Sequence, residues 1–342
     1  MMENKRIVFT KPCVAELLPM EMPQPKAGEV RVKLAVSAIS SGTERANLIG
    51  DPVVSFLEYN DKAVFPRYVG YSSSGVVDAL GDGVTELAVG DRVALSWSKH
   101  QQYICIPVRN AYRIDDDISF EEAALYHIGT FPMAAIRKCR LEIGESAIVM
   151  GLGVLGRFAV QLLRAAGAVP VVAVDPVPEK RQQALAFGAD YAFDPFDPDF
   201  AGKVKEVTGG GANVAIEVTG NGKALDQVLD CMAQFGRVAL LGCTRQFDFT
   251  IDYYRKVHGP GVSLIGAHTL ARPEVESSPG LWTCRDDALA LIRMTRYGRL
   301  HLGEMVEEMH RPEEAGEVFG RLAAEKAFPL VEFDWREYGW KK

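Results

Sequence analysis

The sequence predicts an α/β protein in two parts: a β-rich N-terminal domain, then a doubly wound parallel-sheet domain. Three observations carry this expectation. At 342 residues the chain is longer than one hydrophobic core usually serves. Up to about residue 118 short alternating strands are separated by glycine turns, and beyond it strands and amphipathic helices alternate. Finally, Gly151-Leu152-Gly153-Val154-Leu155-Gly156 stands between a predicted strand and a predicted helix.

Taken in order, Val30–Val36 alternates apolar and polar residues as a half-buried strand does, and Ser74–Leu80 does the same. Gly81-Asp82-Gly83 and Val89-Gly90-Asp91-Arg92-Val93 turn the chain between short strands, which implies a barrel or sandwich. Phe120–Tyr126 and Pro132–Arg140 read as helices. Ala147–Met150 is a short apolar strand, followed by a helix over Val154–Ala166. That helix has Val154, Leu155, Phe158, Ala159, Leu162, Leu163 and Ala166 on its apolar face and Arg157, Gln161 and Arg164 on its polar one. Strands at Pro170–Val174, Asn213–Glu217, Arg237–Leu241 and Ser263–Ile265 alternate with further helical stretches at Glu179–Phe187 and Leu225–Ala233. This is the pattern of a parallel sheet covered on both faces. Helices near Asp286–Tyr297 and Glu313–Glu325 and a strand at Leu330–Phe333 close the chain.

Composition narrows the function. With 38 Lys+Arg against 45 Asp+Glu the net charge is −7, and no basic block is present, which argues against a nucleic-acid partner. The N-terminus carries charges without an apolar signal core, and the apolar stretches near 149–160 and 169–174 fall short of a membrane span. Six cysteines are scattered with no C-x-x-C pair. That implies reduced thiols, hence a soluble cytoplasmic protein acting on a small molecule.

The glycine loop has a mechanism. Gly151 permits a tight turn, Gly153 lets backbone approach a pyrophosphate, and Gly156 lets the helix pack on the strand. The helix N-terminus, with Val154 and Leu155, offers free N–H groups to the phosphates. Asp175 ends the next strand 19 residues after Gly156, where a carboxylate binds the ribose 2′-OH and repels a 2′-phosphate. NAD is therefore favoured over NADP, although Lys180 and Arg181 nearby could tolerate a phosphate.

The order of these features resembles the medium-chain alcohol dehydrogenase superfamily almost end to end. Gly28-Glu29-Val30-Arg31-Val32, the Val89–Val93 corner, the Gly151–Gly156 loop and Leu185-Ala186-Phe187-Gly188-Ala189-Asp190 carry the likeness. It implies a GroES-like catalytic domain over 1–118 and a Rossmann domain over 119–275. A C-terminal segment, 276–342, is implied to return to the catalytic domain. Where zinc-dependent members have a Cys ligand followed by a hydroxyl relay, this chain has Ser41-Gly42-Thr43-Glu44. Where they have Gly-His-Glu it has Gly70-Tyr71-Ser72, and the third ligand position falls at or near Tyr126. The region 93–110, where a structural zinc lobe would lie, contains only Cys105. The expectation is that no zinc is bound.

The stretches Ile39–Arg45 and Gly70–Gly75 are similar to a narrower branch. It includes bacteriochlorophyllide dehydrogenases and the alcohol-dehydrogenase-like half of bi-domain oxidoreductases of sugar metabolism. That likeness implies alcohol or ketone chemistry on a polyol, a sugar-like molecule or a larger secondary alcohol. Without a metal, the substrate oxygen needs hydrogen-bond donors. Thr43, Tyr71 and His127 are the candidates, with Lys99 and His100 further out. For Tyr71 two readings stand side by side: a donor to the substrate oxygen, or an aromatic filling the space of the missing metal. His127 is either a proton relay or a structural histidine, and His100 either lines the cleft or sits in a solvated loop.

For the rest of the cofactor the resemblance implies Thr130 beneath the nicotinamide and Gly266, Ala267 and His268 on its carboxamide. Thr219 and Gly242 follow other strands of the sheet, where ligands approach. Leu57, Tyr59, Phe65, Tyr68, Leu281 and Trp282 suggest a partly apolar cleft. Two rival functions remain at this level: a zinc-free quinone or enoyl reductase using NAD(P)H, and a non-catalytic NAD-binding protein. The short apolar strand Val262–Ile265 is the candidate sheet edge, and pairing across it implies a homodimer or homotetramer.

Overall fold

The structure, a computed structural model, describes residues 4–54, 64–245, 247–325 and 327–338. Its first half runs through strands β1 (Asn4–Lys11), β2 (Val14–Met20) and β3 (Glu29–Ala38) into helix α1 (Ser41–Ile49). Strands β4 (Arg67–Tyr68), β5 (Ser72–Leu80), β6 (Arg92–Ser96), β7 (Tyr103–Pro107) and β8 (Ala111–Arg113) follow, then helices α2 (Phe120–Ala124) and α3 (Tyr126–Lys138). Next come β9 (Ala147–Met150), α4 (Val154–Ala165), β10 (Val171–Val174), α5 (Pro178–Ala186), β11 (Tyr191–Phe193) and α6 (Phe200–Val207). The chain continues with β12 (Ala212–Glu217), α7 (Gly222–Asp230), β13 (Met232–Leu240), β14 (Ser263–Gly266) and α8 (Cys284–Arg296). It closes with β15 (Glu308–His310), α9 (Ala315–Ala324) and β16 (Val331–Asp334).

Two compact units result. One comprises Met1–Ile128, Ala288–Tyr297 and His301–Lys342; the other comprises Gly129–Asp287 and Gly298–Leu300.

In the first unit β3 is the hub. It pairs antiparallel with β5, β7 and β16 inside a seven-stranded sheet, and β1 carries a smaller sheet with β2 and β4. Val30, Val32 and Leu34 are fully buried, while Arg31 and Lys33 between them are half-exposed, so the period of two is realised. Phe319 of α9 packs edge-on to Phe9 at 4.8 Å, sealing the core from the C-terminal side. This unit reaches Ile128, past the expected boundary at 118, because α2 is bonded to the sheet. The Ser72 and Ser74 hydroxyls donate to the Ala124 and Phe120 carbonyls. Ser119 and Glu122 close a capping box at the start of α2.

Helix α3 also departs from expectation. It begins at Tyr126 and runs through Pro132, instead of starting there. The proline removes one helical bond, and the burial of Ile128, Phe131 and Ala135 holds the turns on either side of it.

The second unit is a six-stranded parallel sheet in the order β11-β10-β9-β12-β13-β14. The order in which strands are added reverses between β9 and β12, the place where doubly wound sheets open a ligand crevice. Register aligns the strand ends: Met150 lies opposite Val174 and Glu217, Leu240 opposite Glu217 and Gly266. The segments beginning at Gly151, Asp175, Val218, Leu241 and Ala267 therefore leave the sheet along one edge. Strand β14 is one of the sheet's two outer strands, with Leu264 39% exposed.

Helix α4 corrects the amphipathic reading. Arg157 and Gln161, placed on a polar face, are both buried; only Arg164 of the three is exposed. The Arg157 guanidinium donates to Gln183 of α5, which covers that face.

One buried group makes stability depend on pH. Glu332 on β16 is fully enclosed, and neither carboxylate oxygen has a hydrogen-bond partner among the described residues. Burial pushes its carboxyl well above the ordinary range. Its folded-state pKa exceeds its unfolded one, so stability is lost as pH rises above the unfolded value, the reverse of a salt-bridged carboxylate. A Glu332→Gln chain should melt about 2–4 °C higher than the parent at pH 8, and no higher at pH 4. An equal gain at both pH values in scanning calorimetry would show that the effect is packing.

Candidate active site

In the second unit the glycine loop is built as the motif requires. Gly151 has φ +99°, and a Cβ there would stand 2.8 Å from Thr219 Cγ2. A Cβ at Gly156 would stand 1.9 Å from the Gly151 carbonyl oxygen, so the helix closes on its own approach turn. At Gly153, the N-cap of α4, a Cβ would meet nothing within 4 Å. The first helical bond runs from Arg157 N–H to the Gly153 carbonyl, which leaves the N–H groups of Val154, Leu155 and Gly156 outside the helical ladder.

Asp175 is buried beside this loop. One carboxylate oxygen accepts from Leu152 N–H at 2.8 Å, the other from Val177 N–H at 2.9 Å. It thus shapes the turn as well as offering its remaining lone pairs to a ribose. Arg181 is committed: its guanidinium donates to the Asp175 carbonyl at 2.6 Å and pairs with Asp194 at 3.5 Å. Lys180 stands half-buried on α5.

The other strand ends are organised by Glu217, which the sequence reading passed over although it ends its strand as Asp175 ends β10. The Glu217 carboxylate accepts from the N–H groups of Thr219 and Gly220 and from the Thr219 hydroxyl. Burial raises its pKa against the pull of those donors. The Thr219 hydroxyl donates to Glu217 and helps to set the turn. Gly242 packs against that turn, where a Cβ would stand 2.2 Å from Gly220 N.

At the end of β14, Gly266 is exposed and its carbonyl accepts from Lys138 Nζ at 2.8 Å; Ala267, just beyond, is buried. His268 is half-buried; burial, with the Lys138 charge, lowers its pKa. Thr130 is buried in α3, its carbonyl accepting from Arg272 at 3.0 Å.

In the first unit Tyr71 and His127 come together. Their rings meet edge-on at 5.5 Å, and Trp97 packs edge-on to His127 at 4.5 Å. His127 is buried and Tyr71 half-buried. Trp97 is 41% exposed and sits at φ +62°, a left-handed conformation rare for a bulky residue. Thr43 lies half-buried on α1, its carbonyl accepting from the Asn47 amide.

His100 is neither a cleft wall nor part of a solvated loop. It is fully buried, bonded through Nδ1 to Ser37 Oγ at 2.8 Å and through Nε2 to Glu44 at 2.9 Å. Glu44 also accepts from Ser40 N–H, and Trp335 Nε1–H donates to Ser37. This network ties β3, α1 and the C-terminal segment together. Lys99 is half-buried beside it, near the Gly70 carbonyl, and burial lowers its pKa. Of the suggested apolar wall, Phe65 packs on the core, Arg6 covers Tyr68, Trp282 stacks on Arg137 and Leu281 is exposed. Leu57 and Tyr59 lie outside the described residues.

Zinc does not suit these donors. A ligand must give up its proton, and Ser41, Tyr71 and Tyr126 are hydroxyl groups. Burial drives the Tyr126 phenol further from ionisation. Among the described residues no three His, Cys, Asp or Glu side chains gather to hold a metal. A dinucleotide does suit the second unit, because the open space at Gly153 lies beside free helix N–H groups. No helix among the described residues is long and apolar enough to cross a membrane.

Comparison with known proteins agrees with this architecture. Residues 26–131 match the alcohol dehydrogenase GroES-like domain and residues 154–277 the zinc-binding dehydrogenase family. D-guloside 3-dehydrogenase of Escherichia coli K12 is 27% identical, over 79% of this chain and 82% of its own. L-threonine 3-dehydrogenase of Thermococcus kodakarensis is 30% identical, over 72% and 77%. Among solved structures, 2R,3R-butanediol dehydrogenase of Bacillus subtilis superposes with a TM-score of 0.80 at 22% identity, over 97% of this chain and 99% of that one. An E. coli alcohol dehydrogenase solved with NADH gives 0.82 at 19%, over 98% and 100%. With the β-rich unit, the reversed parallel sheet and the glycine turn all in the matched order, the chain belongs to the medium-chain alcohol dehydrogenase-like superfamily and is an oxidoreductase.

Proposed function

We propose that this chain is an NAD(H)-dependent, zinc-independent dehydrogenase that interconverts a secondary alcohol and its ketone, with a polyol or sugar-like substrate. The observation that carries the reading is the edge-on packing of Tyr71 on His127, two side chains that the family resemblance puts at or beside ligand positions of the zinc-dependent members. Bound NAD supplies the hydride acceptor for oxidation, and NADH the donor for reduction. The chain's own part is the proton. The Tyr71 hydroxyl donates to the carbonyl oxygen as negative charge develops there, and receives the alcohol proton in the reverse direction. Thr43 adds a second hydroxyl, and His127 is the adjoining titratable group. The NAD preference rests on Asp175 and on Arg181 being held by Asp194. The names of the relatives describe dehydrogenases of hydroxylated substrates, which supports the choice of substrate class.

The same reading includes a homodimer, or a dimer of dimers, formed across the β14 edge. Three measurements on the purified chain test the proposal together. NADH should bind more tightly than NADPH, elemental analysis should find well under one zinc per chain, and light scattering should give at least twice the chain mass. NADPH preference with enone turnover would favour a quinone or enoyl reductase. Tight NADH binding with no hydride exchange across a panel of alcohols and ketones would favour a non-catalytic protein. Stoichiometric zinc or a single-chain mass would remove those parts of the proposal.

A further inference from the structure

We propose that Arg272 and Asp287 are positioning residues for the nicotinamide half of the cofactor, acting through the turn at 266–269; the inference rests on the NAD(H) reading above. The reversal of strand order between β9 and β12 divides the ligand edge of the sheet into two halves, one for each mononucleotide. Asp175, at the end of β10, marks the half that takes the adenosine ribose. The other mononucleotide would lie over β12, β13 and β14, which puts the turn leaving β14 at the nicotinamide end.

That turn leaves an outer strand and begins at an exposed glycine, so its position must come from elsewhere. Arg272 provides it from three sides. Its Nε donates to the Thr269 carbonyl at 2.9 Å, one terminal nitrogen to the Thr130 carbonyl of α3 at 3.0 Å, and the other to Asp287 at 3.4 Å. The Arg272 side chain is 7% exposed and that of Asp287 is fully enclosed. Asp287 also receives Arg137 Nε at 2.8 Å, and the Arg137 guanidinium lies 3.6 Å from the Trp282 ring centroid. Lys138 holds the near end of the same turn through the Gly266 carbonyl.

Burying a guanidinium is expensive unless each direction of its fork is used. Here one direction fixes the turn, one fixes α3 beneath it, and the third is neutralised by Asp287. The fork thus sets the spacing between the turn and the Thr130 backbone, the two segments on the nicotinamide side. A lysine cannot reproduce it, since an ammonium lacks the planar, three-way geometry.

Calorimetric binding of NADH and of ADP-ribose, which lacks nicotinamide, separates positioning from simple stability. Arg272→Met should weaken NADH binding by about tenfold, the size of one lost charge-assisted hydrogen bond, while ADP-ribose binding stays within about twofold. Arg272→Lys should show the same selective loss and serves if the methionine variant does not fold. Equal weakening of both ligands, or no weakening of NADH, would overturn the inference and leave the cofactor reading standing. A parent chain that binds neither ligand would overturn the cofactor reading, and this inference with it.

Discussion

A Gly156→Ala chain is expected to lose NADH affinity by at least about 100-fold and to melt earlier, whereas Gly153→Ala is expected to lose the affinity alone. The two glycines answer to different neighbours. A methyl at 156 would lie 1.9 Å from the Gly151 carbonyl oxygen, and that contact is with backbone, which cannot swing aside. Either the turn or α4 must move, at a cost of about 1–3 kcal/mol or more for overpacking, and the helix N–H groups leave their alignment. At 153 a methyl meets nothing within 4 Å, and the backbone at φ −67° suits alanine. It would occupy only the space through which a pyrophosphate approaches. Calorimetric titration with NADH and thermal melts of both chains read the contrast. Parent-like affinity in Gly153→Ala would mean that the phosphates bind elsewhere.

Replacing Tyr71 by Phe should cut turnover of an alcohol or ketone by about 10²–10³-fold with NADH affinity unchanged, the usual effect of removing one donor to a developing oxyanion. Phenylalanine keeps the edge-on contact with His127 and removes only the hydroxyl. The alternative, an aromatic that fills space, predicts parent-like turnover. The comparison therefore separates a catalytic residue from a packing one without disturbing the fold. Steady-state kinetics on a substrate found by screening polyols and secondary alcohols would read it, and unchanged kcat would remove Tyr71 from the mechanism.

What the sequence disclosed was local. The glycine turn, Asp175 and five of the six strands of the parallel sheet, all but β11, declare themselves within short windows, because turn chemistry and periodicity are properties of neighbouring residues. What it concealed depends on pairs that meet only in the fold. His100 and Glu44 form no motif, yet they share a buried network with Ser37 and Trp335. Arg157 looks like a solvent-facing residue on a helical wheel, and only the covering helix α5 makes it a buried one. Pro132 reads as a helix start, and it became an interior residue because buried neighbours on both sides outweigh one missing bond. Arg272 gives no sequence signal at all, since the carbonyls it holds lie 3 and 142 residues away.

The pairing of β16 with β3 bears on how the protein is made. Strand β3, near the beginning of the chain, has its antiparallel partner at Val331–Asp334, near the far end. During synthesis the nucleotide-binding unit, continuous from Gly129 to Asp287, can complete its core and fold first. In the N-terminal unit β5 and β7 can pair with β3 early, but the end of its edge at Val36–Ala38 must wait for β16. An open strand edge is a template for the wrong partner. The stretch Val36–Ala38 is thus made well before the strand that protects it, and it is open to wrong pairing until that strand is made.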